Sequence, residues 1–92
     1  MKTEITLGCW GYFVEVQDLQ VIFTESRPVA EVPITQFAFE RPRDINDSNG
    51  IWYLCWLETS KRGVVASHIE AALNYCRENF GANFENYKGE LV

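Results

Sequence analysis

Apolar and polar positions alternate through the first forty residues, and the period changes after residue 63. In residues 4–16, EITLGCWGYFVEV, the positions Ile5, Leu7 and Cys9 share one parity. Beyond Gly8 and Gly11 the apolar residues Tyr12, Val14 and Val16 fall on the other. A parity switch beside glycine predicts one strand with a bulge or sharp bend. Residues 19–25, LQVIFTE, alternate through Leu19, Val21 and Phe23, and the short Gln17-Asp18 connection predicts a hairpin.

Residues 32–39 have strand composition, but Pro33 lacks an N–H, which predicts an edge strand or one paired on a single side. A polar connection follows, with Asn49-Gly50 as its turn signal. Residues 51–58, IWYLCWLE, form the strongest strand pattern. Ile51, Tyr53, Cys55 and Leu57 lie on one parity and Trp52, Leu54 and Trp56 on the other, so both faces are expected to be buried in an inner strand.

After the polar corner Thr59-Ser60-Lys61-Arg62-Gly63 the apolar residues Val65, Ile69, Ala72, Leu73, Cys76 and Phe80 recur at helical spacing. That predicts a helix over 64–80, with Ser67 and Glu70 as a capping box and Gly81 just past its end. The tail, 82–92, carries Phe84, Tyr87 and Leu91. The expected architecture is a single α+β domain over 1–92, with about four mostly antiparallel strands and one C-terminal helix packed on one sheet face.

Composition changes this picture in two ways. An apolar content of 47% argues against disorder, and a net charge of −5, from 13 acids and 8 bases, disfavours direct nucleic-acid or anionic-membrane binding while suiting a basic partner. Neither a signal-peptide core nor an apolar run of membrane-spanning length occurs, so a cytoplasmic protein with reduced Cys9, Cys55 and Cys76 is expected.

Candidate chemistry is sparse. Asp44, Asn46 and Ser48 resemble the opening of a calcium loop, but Asn49 and Cys55 stand where glycine and a bidentate glutamate are required. With one histidine and no CxxC, a zinc site would need Cys9, Cys55, Cys76 and His68 to meet through the fold. His68 and Cys76 are eight positions apart, about 12 Å along a helix, outside hydrogen-bond reach. No catalytic residue, metal or cofactor is therefore assigned.

Two binding readings remain. The acids Glu15, Asp18, Glu25, Glu31, Asp44, Asp47, Glu70, Glu78, Glu85 and Glu90 would supply a surface for a basic protein. Lys61, Arg62 and Gly63, ahead of a helix N-terminus, would supply an anion site for a phosphate or nucleic acid. Trp10, Tyr12, Trp52 and Trp56 exceed what one helix can cover, which predicts closure of a second aromatic face by the tail, by a partner or by a homodimer. In size, acidity and aromatic content the chain resembles, as a type, small acidic inhibitors such as toxin-immunity, phage anti-defence and DNA-mimic proteins. No motif carries that likeness. It implies a non-catalytic antagonist or regulator of a basic partner.

Overall fold

The computed structural model describes residues 2–27, 31–44 and 50–84, and the side chain of Arg62 lies outside the description. Five strands, β1 (Lys2–Leu7), β2 (Trp10–Gln17), β3 (Gln20–Glu25), β4 (Gln36–Glu40) and β5 (Tyr53–Glu58), precede one helix, α1 (Arg62–Phe80). The strands form one antiparallel sheet in chain order, β1-β2-β3-β4-β5. The domain is α+β, as the two periodicities imply, with a fifth strand.

The extra strand comes from residues 4–16. Gly8 adopts φ 64°, a left-handed conformation open to glycine, and the chain reverses there so that Leu7 faces Trp10. The parity switch records a hairpin and not a bulge. The next turn centres on Asp18 and Leu19, with Asp18 at φ 53°.

Pro33 lies outside β4, which starts at Gln36 and is an inner strand. β5 is the edge, not an inner strand, and is not buried on both faces. Its register slips at Cys55, between the pairs Ala38–Trp56 and Phe39–Leu54. The slip turns both Leu54 and Leu57 toward the core, and leaves Tyr53 and Trp56 on the opposite face. Ile51 and Tyr53, expected against the helix, are each 50% exposed. Trp52 is buried against the rings of Phe80 and Phe84. The Asn49-Gly50 turn, the calcium-like loop and most of the tail fall outside the described residues.

The core lies between α1 and the inner face of the sheet. Cross-strand neighbours Phe23 and Phe37 stack at 5.2 Å, Phe39 packs edgewise and Tyr12 tilted on Phe37, and Val65, Ile69, Leu73 and Cys76 close over them from α1. α1 starts at Arg62 with Lys61 as N-cap, so Ser67 is not a cap, and its hydroxyl donates to the Val64 carbonyl inside the helix. Gly81 ends the helix in the left-handed region at φ 65°, and the Ala82 N–H beyond it donates to the Cys76 carbonyl at 3.2 Å.

The glycines at the two ends of α1, Gly63 in its first turn and Gly81 just past its end, should respond oppositely to alanine. Gly81→Ala forces a side chain into the left-handed region and should destabilise by about 1 kcal/mol. Gly63 lies in the first turn of α1 with open space around it, so Gly63→Ala should stabilise by up to about 1 kcal/mol. Urea midpoints of the two variants measure both signs.

Candidate functional site

Two regions gather the residues singled out by the sequence: a buried polar cluster at the start of α1, and the face of the sheet that α1 leaves open.

The cluster forms where α1 begins with neither a side-chain N-cap nor a first-turn acid. Lys61 as N-cap puts a cation at the positive end of the helix dipole. Tertiary contacts offset this. The Lys61 ammonium donates to both carboxylate oxygens of Glu25, at 2.8 and 3.1 Å, and lies 4.7 Å from the centre of the Trp10 ring. The Lys61 and Glu25 side chains are 18% and 2% exposed. Thr59 Oγ1 accepts the Lys61 N–H at 2.9 Å and shares a hydrogen bond with Thr35, whose own N–H donates weakly to Glu25.

Beside this pair, Tyr12 Oη and His68 Nδ1 are 2.8 Å apart in a buried setting. Burial, then the Glu25 charge, raises the pKa of the Tyr12 phenol, and the neutral hydroxyl is donor or acceptor to His68 Nδ1 according to the imidazole tautomer. Burial lowers the pKa of His68, Glu25 pulls it back up, and Lys61 lowers it further.

These positions correct several expectations. Glu25 is buried in an ion pair and adds nothing to a solvent-facing acidic surface. The Lys61 ammonium is already committed to a carboxylate, which leaves a phosphate less to meet at this turn. Gly63 is exposed in the first turn of α1. Tyr12 and Trp52 are core residues, and Trp10 is half-buried beneath Lys61 and beside His68, so the three do not form one exposed aromatic face. Asp18, Asp44, Glu70 and Glu78 are exposed and Glu15 is half-buried, while Asp47 and Glu85 lie outside the described residues. The cysteines are free. Cys55 donates to the Ala38 carbonyl, and burial pushes Cys76 up to about 12, so neither is poised as a thiolate. Among the described residues no three His, Cys, Asp or Glu side chains are placed to share a metal ion, and no helix is long and apolar enough to cross a membrane.

The open face was not legible as a unit. Strand pairing assembles it from Phe13, Ile22, Ala38 and Trp56, with Ile22, Ala38 and Trp56 directly opposite one another across β3, β4 and β5. Around them stand Glu4, Glu15, Glu40 and Glu58, against the cations Lys2, near the Phe13 ring, and Arg27, 3.8 Å from Glu4. Tyr53, hydrogen-bonded to Glu40, has its phenol pKa raised by that contact. A search for residues alternating out of phase with Tyr12, Val14, Val21 and Phe23 would have found this face. It would still have missed Trp56, whose parity depends on the slip at Cys55.

Compared with protein-family models, with curated proteins and with solved structures, the chain matches none.

The Glu25–Lys61 pair has a measurable signature. Lys61→Met strands a buried carboxylate and should destabilise by about 3–5 kcal/mol, whereas Lys61→Met with Glu25→Gln should recover most of that loss. Urea denaturation at neutral pH distinguishes the two.

Proposed function

We propose that this chain is a non-catalytic binding protein that inhibits or regulates a basic partner, in the manner of immunity, anti-defence or DNA-mimic proteins. The observation that carries the reading is the open sheet face. On the side of the sheet away from α1 it sets the half-buried Phe13, Ile22 and Trp56 and the exposed Tyr53 beside four carboxylates. An apolar centre with a charged rim is the composition of a protein interface. The surplus of carboxylates favours a partner with lysines and arginines and disfavours a second copy meeting this face with its own.

The Lys61–Arg62 turn supports a phosphate or nucleic-acid site less well. Its lysine is held by Glu25 and Trp10, and the net charge of −5 repels polyanions. Arg62→Glu is the informative substitution there, because changing Lys61 also breaks the buried pair.

Affinity capture from the native host, repeated at low and at high salt, tests the reading. A partner held through the open face should be lost at high salt. Glu15→Lys with Glu58→Lys should weaken its capture about tenfold or more, equivalent to about 1.4 kcal/mol. Glu70→Lys with Glu78→Lys, on α1, should leave capture unchanged. Capture that survives the first pair and fails with the second, or with Arg62→Glu, would overturn the assignment of this face.

A further inference from the structure

Strand register carries the open face past Phe13 to Gly11. Glu4 pairs with Phe13 and Thr6 with Gly11, and the Ser26 N–H donates to the Gly11 carbonyl at 3.0 Å. Thr6, Gly11 and Ser26 are therefore the next row across β1, β2 and the end of β3. Paired residues share a face, as do residues two apart on one strand, so this row continues the face of Phe13, Ile22 and Trp56. Its middle member has no side chain. Over it lies a surface hollow of about 300 Å³, lined by Glu4, Ile5, Thr6, Cys9, Gly11 and Arg27.

Two oxygens converge on the gap above Gly11. A Cβ there would run into Ser26 Oγ, and Glu4 Oε2 would lie 3.4 Å from it. Ser26 Oγ is buried and has no hydrogen-bond partner among the described residues. Buried hydroxyls ordinarily have one, so this oxygen marks a place where a ligand's polar group fits. Glu4 adds a negative charge beside it. The cation nearest that charge, Arg27, reaches from beyond the end of β3 to β1 and holds it loosely. Arg27 Nε is 3.8 Å from Glu4 Oε2, beyond hydrogen-bond distance, and the two side chains are 84% and 45% exposed.

We infer that this hollow receives an arginine side chain of the basic partner, with Arg27 as a built-in competitor for Glu4. A guanidinium carries five donors in one plane, enough to meet the Glu4 carboxylate, Ser26 Oγ and the Thr6 hydroxyl together, which a compact ammonium does less well. An anion would meet the Glu4 charge at the same point. The incoming guanidinium replaces that of Arg27, whose exposed pair is readily given up. The inference rests on the open-face reading for the donor of the arginine, but the affinity of the hollow for a guanidinium stands apart from it.

Amide NMR titration of the intact protein with N-acetylarginine amide tests the hollow without the partner. Shifts at Gly11 and Ser26 should saturate in the millimolar range, while the uncharged isostere N-acetylcitrulline amide and sodium acetate should leave both amides in place. Glu4→Gln, at an exposed position, should abolish the saturation. Arg27→Gln should tighten binding about two- to fivefold, the worth of one exposed ion pair. No saturable shift, saturation by acetate, equal saturation by the citrulline probe, an unchanged titration in Glu4→Gln, or weaker binding in Arg27→Gln would each overturn the inference. Saturation by the arginine probe alongside failed salt-sensitive capture would strike the partner reading and leave the guanidinium site standing.

Discussion

A five-stranded sheet has two faces, and the described chain supplies one helix to cover them. Every other feature follows from how α1 is spent. Its apolar stripe of Val65, Ile69, Leu73 and Cys76 goes onto the face built from Tyr12, Val14, Val21, Phe23, Phe37 and Phe39. Burying aromatic side chains of this size is worth several kcal/mol each at about 25 cal/mol per Å², which fixes the side α1 takes. The opposite face keeps a shorter apolar stripe and collects carboxylates. The same asymmetry that makes the domain foldable therefore creates its most distinctive surface.

Placing α1 correctly needs more than apolar burial, because its start carries a cation and no cap. The solution is tertiary: Glu25 from β3 takes the Lys61 ammonium, and Tyr12 from β2 takes His68. Partners 36 and 56 positions apart in sequence do what a serine or aspartate cap does locally elsewhere. Such anchors are conditional. A salt bridge or hydrogen bond buried beneath a helix holds only while each member keeps its protonation state, whereas the hydrophobic contacts of Val65, Ile69, Leu73 and Cys76 do not change with pH.

Local periodicity made much of the fold legible. The helical spacing from Val65 to Phe80, the glycine stop at Gly81 and the alternation of Val21 and Phe23 needed no tertiary knowledge. Gly8 was visible as a breaker, but a bulge and a tight hairpin leave the same parity switch, and only the Leu7–Trp10 pairing separates them. β5 misled for a comparable reason. An apolar residue at every position suggests burial on both sides, yet the register slip at Cys55 sends residues of both parities to one side. The long-range contacts had no sequence signal at all. Glu25 read as one more surface acid and Lys61 as one more turn base, because charge alone does not reveal which ions the fold will bring together.

The central claim is that α1 seals one aromatic face and that, among the described residues, the other keeps Phe13, Ile22 and Trp56 half-buried and not sealed. Single-tryptophan variants retaining either Trp52 or Trp56, with the remaining tryptophans replaced by phenylalanine, test it through iodide quenching at dilute concentration. The structure predicts that half-buried Trp56 is quenched more readily than Trp52, which is 5% exposed beside Phe80 and Phe84. Protection of Trp56 equal to that of Trp52 would contradict the account, because the second face would then be covered.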